Sequence, residues 1–203
     1  EIGAVVVVAG EHTIAAVEAL VQENGFHKVT AVVPGGERRQ DSVAAGLAAL
    51  PAQTEVVLIH DGARPLADSD LFRRCAQAAA ATGAVIAAMP VADTLKRVTD
   101  VDRVISGTVD RSGLWAAQTP QAFRLDVLQR AFAHNAGADV TDEALLCEAA
   151  GIPVQVVPSS SANLKVTHPE DVAVADALLH ARLRDKEREP DFSASPALQE
   201  RTP

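Results

Sequence analysis

Four short apolar runs, AVVVVAG (4–10), VTAVV (29–33), EVVLI (55–59) and AVIAAMPV (84–91), alternate with stretches of helical periodicity. Short runs rich in Val and Ile read as strands buried in a sheet. Strand–helix alternation then predicts a largely parallel sheet with right-handed crossovers. Between the strands, HTIAAVEALVQENGF (12–26) repeats Ile14, Val17, Leu20 and Val21 at helical spacing, and SVAAGLAAL (42–50) is helical too. Asp68 or Ser69 can cap a further helix running to about Ala81. The residues are 48% hydrophobic but only 3% aromatic, mostly Ala, Val and Leu, which suits Val strands covered by Ala- and Leu-rich helices. The expected fold class is α/β: a Rossmann-like, mostly parallel twisted sheet with helices on both faces.

The pattern then changes. TLKRVTDVDRVISGTVDR (94–111) alternates apolar and polar residues about a polar centre, which predicts an antiparallel β-arm projecting from the sheet. Helices are expected at about 124–134 and 141–150, a short strand at PVQVV (153–157), and a last helix from about Glu170. Beyond Leu183 the chain turns charged, then Pro- and Ser-containing, without apolar periodicity. The expected organisation is one domain over 1–183, with the arm at about 94–111, and a disordered tail over 184–203.

Eighteen basic against 27 acidic residues give a net charge of −9, which argues against nucleic-acid or anionic-membrane partners. With no long apolar span and no basic-then-apolar leader, the chain reads as soluble and cytoplasmic. Cys75 and Cys147 each lie in a helical pattern and are expected as buried, reduced thiols.

Polar residues gather just past the predicted strand ends. HDGARP (60–65) puts His60, Asp61 and Arg64 directly after EVVLI. Open α/β sheets bind ligands at the carboxyl ends of their strands; the plainer reading is an Asp that caps a turn and pairs with Arg64. PGGERRQDSV supplies Gly35, Gly36, Arg38, Arg39 and Ser42, where paired glycines let backbone N–H groups approach a ligand or simply form a turn. MPVADTLKR presents Asp93, Thr94 and Lys96, and VDRSGLWAAQTPQAF carries Arg111 and Thr119. VTDEA holds Thr141, Asp142 and Glu143, which also suit a helix cap and first turn. Lys165 in ANLKVTHPED could equally be a solvated loop lysine.

In order, GGERRQDSVAAGL, HDGARP, PVADTLK, DRSGLWAAQTPQAF, TDEA and NLKVTHPEDVAVA resemble the 2-C-methyl-D-erythritol 4-phosphate cytidylyltransferases of the non-mevalonate isoprenoid pathway. That family's strings run GGxxRxxSVxxGL, HDAARP, PVxDTLK, DRxxLWxAQTPQxF, TDEA and NxKVTxPEDxxLA, and the match covers roughly residues 28 to 180. The resemblance implies the nucleotidyltransferase fold, CTP and methylerythritol phosphate as substrates, and Mg²⁺ as the cation. It implies Asp61 as metal ligand and catalytic carboxylate, and Lys165 as the cation that stabilises the reacting α-phosphate. It implies Ala9, Gly10, Gly36, Arg39 and Ser42 on the nucleotide, and Arg64, Arg111 and Thr141 on the acceptor. It also implies a homodimer through the arm, with Arg111 reaching the partner's site. The competing readings are a pentitol-phosphate cytidylyltransferase and a non-catalytic nucleotide-binding scaffold.

One departure stands at the start. The family follows its first strand with a glycine-rich loop bearing an Arg and a Lys, whereas Ala9-Gly10 here leads to Glu11-His12, with no basic residue but His12 and His27 before Lys28. The expectation is that loop residues are skipped in the numbering, so that Gly10 and Glu11 are not bonded neighbours, with a second break near residues 13 to 18.

Overall fold

A computed structural model describes residues 2–134 and 140–188. Eight strands and six helices follow the order β1 (Val5–Ala9), α1 (Ile14–Glu23), β2 (Val29–Pro34), α2 (Arg39–Ala48), β3 (Val56–Ile59), α3 (Ser69–Thr82) and β4 (Ala84–Pro90). Then come β5 (Lys96–Val98), β6 (Ile105–Thr108), β7 (Trp115–Arg124), α4 (Leu125–His134), α5 (Glu143–Ala149), β8 (Gln155–Pro158) and α6 (Pro169–Arg188). The α/β class is as expected from the strand–helix alternation. Helix α6 continues past Leu183 to Arg188, and the rest of the expected tail, residues 189–203, lies outside the described residues.

The central sheet has the order β3-β7-β4-β8, with β4 and β8 parallel and β7 antiparallel to both its neighbours. It is therefore mixed: the inserted strand β7 separates β3 from β4. A separate parallel pair, β1-β2, stands beside it.

Strand alternation explains how both faces are covered. Val57, Ala84 and Phe123 point to one side, where Val127, Leu128 and Ala131 of α4 and Leu146 and Cys147 of α5 close over them. Their neighbours Val85 and Ala122 point to the other side, against Leu71, Cys75 and Ala79 of α3. The sequence supports each helix locally. The Asp68 carboxylate accepts from Leu71 N at 2.7 Å and caps α3, and Asp142 caps α5 by accepting from Leu145 N.

Helix α2 ties the β1-β2 pair to the main body. Gly46 sits where a Cβ would come within 2.9 Å of Val8 Cγ2, while Leu47 and Leu50 pack on the cluster around Phe123. Helix α1 is less committed than its periodicity predicts. Ile14, Val17 and Val21 are half-buried, Leu20 is 55% exposed, and no residue of the helix is fully buried.

The chain passes straight from β1 into a single 3-10 turn, Glu11–Thr13, with Thr13 N donating to the Gly10 carbonyl at 2.8 Å, and thence into α1. Gly10 and Glu11 are bonded neighbours, and the expectation of skipped residues fails at both places. A three-residue turn of Glu, His and Thr stands where the family has its basic glycine-rich loop.

The arm forms as expected: β5 and β6 pair antiparallel, and every residue in both strands is exposed. Cys75 and Cys147 are free and buried, and burial pushes both thiols up to about 11. Among the described residues no helix is long and apolar enough to cross a membrane.

Candidate active site

The segment after β3 is held by hydrogen bonds of fixed direction. Asp61 N donates to Thr119 Oγ1 at 3.0 Å, and the Thr119 hydroxyl meets His60 Nδ1 at 3.0 Å. On its other side, His60 Nε2 lies 3.2 Å from the Arg64 carbonyl, which can only accept. Nε2 therefore carries the proton, and Nδ1 accepts from Thr119. Burial lowers the His60 pKa, in keeping with a neutral ring that bridges the two ends of the turn.

This places the Asp61 side chain, 23% exposed, between two cations. Lys165 Nζ is 3.1 Å from its Oδ2, and Arg64 Nε is 3.7 Å from the same oxygen. Arg64 is anchored separately by Nη1 donating to the Asn163 carbonyl at 2.7 Å. Desolvation lowers the Arg64 pKa, against which the Asp61 charge acts. Val166 N donates to the Ala63 carbonyl at 2.8 Å, clamping the Lys165 loop to HDGARP.

Strand β7 organises this pairing from behind. Its register against β4 shifts between Ile86 and Ala88, leaving residues 118 to 120 as a bulge beside the site. Gln118 and Thr119 are buried there, and Asn163 Nδ2 donates to Gln118 Oε1 at 3.0 Å and to the Thr119 carbonyl at 2.9 Å. The plainer reading of HDGARP, a capping Asp paired to Arg64, thus describes part of the geometry. It does not account for the approach of Lys165, which comes from a loop about a hundred positions away.

The residues that the resemblance assigns to the nucleotide gather at the carboxyl ends of β1 and β2. The Ala9 carbonyl accepts from Gly35 N at 2.9 Å, which sets Ala9 and Gly10 against the Gly35-Gly36 turn. A Cβ on Gly36 would lie 2.3 Å from Asp41 Cβ, so only glycine fits this close approach. Ser42 Oγ accepts from Gly36 N at 3.1 Å, and so shapes the turn. Arg39, at the start of α2, donates through Nη1 to Glu143 Oε1 at 2.5 Å. Burial alone would lower the Arg39 pKa, but the hydrogen bond and charge of Glu143, with Asp61 and Asp142, raise it overall.

Lys96, Arg111 and Thr141 make no hydrogen bond or ion pair with Asp61, Lys165, Arg64 or Arg39 among the described residues. Lys96 donates to Thr108 within the arm at 2.7 Å. Arg111 is exposed in the turn before β7, and Thr141 is exposed just ahead of the Asp142 cap. Nothing in the sequence alone distinguishes Gln118 or Asn163 as parts of the site, and Glu143 reads there as an ordinary first-turn acid beside Thr141 and Asp142. Their position within the AQTPQ, NLK and TDEA strings was the available signal.

An α/β sheet with a carboxylate between a lysine and an arginine at a strand end, beside a glycine turn at two parallel strand ends, has the architecture of a nucleotidyltransferase. The solved structure of 4-diphosphocytidyl-2C-methyl-D-erythritol synthase from Anaerococcus prevotii superposes with a TM-score of 0.76 at 30% identity, over 88% of this chain and 79% of that one. The family model of 2-C-methyl-D-erythritol 4-phosphate cytidylyltransferase matches residues 1–181, and the chain belongs to that family. The cytidylyltransferase of Parasynechococcus marenigrum is 55% identical over 155 residues, which is 75% of this chain and 68% of the relative. A bifunctional enzyme IspD/IspF from Desulfotalea psychrophila is 48% identical over 165 residues, 81% of this chain; the matched part is 42% of that longer protein.

Proposed function

We propose that this chain transfers a cytidylyl group from CTP to 2-C-methyl-D-erythritol 4-phosphate, as a cytoplasmic homodimer. The products are 4-diphosphocytidyl-2-C-methyl-D-erythritol, an intermediate of non-mevalonate isoprenoid precursor biosynthesis, and pyrophosphate. The observation that carries this reading is the convergence of Lys165, Asp61 and Arg64 at the carboxyl end of β3. An acceptor phosphate oxygen attacks the α-phosphorus of CTP in line, and pyrophosphate leaves. The protein then has to align two anions and offset charge that builds on the phosphorus oxygens. Lys165 serves the α-phosphate, and Arg64, with Arg111 and Thr141, serves the acceptor; a guanidinium pairs with a phosphate through two parallel hydrogen bonds.

The donor set fits Mg²⁺ brought in on the nucleotide. Asp61 offers one accessible carboxylate, and among the described residues no cluster of three or more His, Cys, Asp or Glu could cage an ion. Mg²⁺ is commonly held by one or two carboxylates together with substrate phosphates. Bound there by Asp61, it would neutralise triphosphate charge and polarise the reacting phosphoryl group.

The short turn at Glu11–Thr13 favours a second reading, a nucleotide-binding protein that has lost catalysis with its basic loop. A panel of polyol phosphates separates the possibilities. Pyrophosphate release from CTP with methylerythritol phosphate as the best acceptor supports the proposal. A preference for a pentitol phosphate shifts the substrate, and the absence of pyrophosphate release with every acceptor in the panel supports the non-catalytic reading.

The homodimer is proposed through the arm. Val98, Val101, Val104 and Ile105 are 48–97% exposed on a two-stranded hairpin, an apolar surface that a lone hairpin gains little from displaying. Sedimentation at micromolar concentration is expected to give twice the mass of the chain, and Val104→Lys combined with Ile105→Lys to give the monomer with reduced turnover. A fully active wild-type monomer would remove the arm interface and any role for Arg111 in the partner's site.

A further inference from the structure

Glu143 is a carboxylate with 0% exposure in the first turn of α5. Its Oε1 accepts from Arg39 Nη1 across 104 positions of sequence, and its Oε2 is buried without a hydrogen-bond partner. Burying a carboxylate is costly, and an interior ion pair is often no more stabilising than apolar side chains of similar volume. Stability alone gives little reason for the pair.

Its placement gives a better one. Arg39 opens α2 directly beyond the Gly35-Gly36 turn, and a third of its side chain is exposed. With Nη1 taken by Glu143, Nε and Nη2 make no hydrogen bond among the described residues. An unanchored arginine samples many rotamers, whereas a guanidinium fixed at one nitrogen presents its other donors in a set direction.

We propose that Glu143 is a positioning residue that holds Arg39 so that its remaining N–H groups face the nucleotide, where they meet acceptors such as the cytosine carbonyl or a phosphate oxygen. The inference rests on the proposed function, which puts CTP at the ends of β1 and β2. It also gives the TDEA segment two duties. Thr141 meets the acceptor phosphate, and Glu143, two residues on, orients the nucleotide's arginine.

The test is calorimetric titration of CTP into wild type, Glu143→Gln, and the double variant Arg39→Met with Glu143→Met; turnover of the wild type and of Glu143→Gln is measured separately. Glu143→Gln keeps an acceptor for Arg39 Nη1 but loses the charge that holds the guanidinium, and is expected to weaken CTP binding roughly tenfold, the difference between a charge-assisted and an ordinary hydrogen bond. The KM for methylerythritol phosphate should move less than about twofold. The double variant removes both buried charges and so restores packing, yet its CTP affinity should stay low. Recovery of wild-type affinity in the double variant would show a merely structural pair and overturn the inference, and so would unchanged affinity in Glu143→Gln. If Glu143→Gln does not fold, the double variant decides alone by the same criterion. A wild type that binds CTP but forms no product breaks the functional proposal while leaving the affinity comparison in force. A wild type that does not bind CTP overturns both.

Discussion

Asp61→Asn is expected to fold normally and to lose roughly 10²–10³-fold in kcat/KM, about 3–4 kcal/mol of transition-state stabilisation, the scale of removing one preorganised electrostatic group. The fold should survive because the substitution keeps the shape, and because the bond from position 61 to Thr119 is made by the backbone N–H. The bond from Arg64 N to the residue 61 carbonyl at 2.9 Å is likewise independent of the side chain. What disappears is the negative charge between Lys165 and Arg64. In the free protein that charge offsets the two cations; under the proposed function the phosphates of CTP would take over the cations and the carboxylate would hold the metal. Steady-state kinetics at saturating Mg²⁺, beside a thermal melt, reads both halves of the prediction. Near-normal turnover would reduce Asp61 to the cap of a turn.

Lys165→Met should cost a similar roughly 10²–10³-fold in kcat/KM by removing the ammonium proposed for the reacting α-phosphate. Stability should hardly change, since Lys165 is about half exposed and accessible ion pairs contribute at most about 1 kcal/mol. Lys165→Arg offers the sharper control. It keeps the charge but replaces a compact ammonium by a planar fork, and only partial recovery is expected. Full activity in Lys165→Met, measured as product formed per chain, would assign the lysine to the solvated loop.

The fold was legible where local pattern and tertiary environment agree. The Val-rich runs at β1 to β4 and the Asp68 cap of α3 are cases where the same residues satisfy both. Strand β7 was not legible. WAAQTPQAFR lacks alternation and carries Pro120 in its middle, a residue that argues against a central strand. The structure accommodates it at a bulge, and the bulge presents Thr119 to Asp61. Helix α1 shows the converse. Its apolar spacing is clear, yet Leu20 remains exposed, with no element among the described residues covering that side. In the site, Asp61 and Arg64 stand out as candidates by their place after a buried strand, whereas Lys165 reads equally as a solvated loop lysine and is singled out only by the family resemblance. Glu143 could not be separated from an ordinary first-turn acid, because its burial depends on contact with Arg39 about a hundred residues away. The missing basic loop is visible in the sequence as a departure, and skipped residues do not account for it, since β1 runs directly into the turn at Glu11–Thr13.

The central claim is that this chain joins CTP to a polyol phosphate with three residues, Glu11–Thr13, in place of a basic loop. Phosphorus NMR of the protein incubated with CTP, methylerythritol phosphate and Mg²⁺ tests it most directly. The account predicts that the acceptor's monophosphate signal gives way to the paired resonances of a diphosphate diester, with free pyrophosphate appearing in equal amount. Unchanged CTP and acceptor spectra, or hydrolysis to CMP without a new diphosphate linkage, would contradict it.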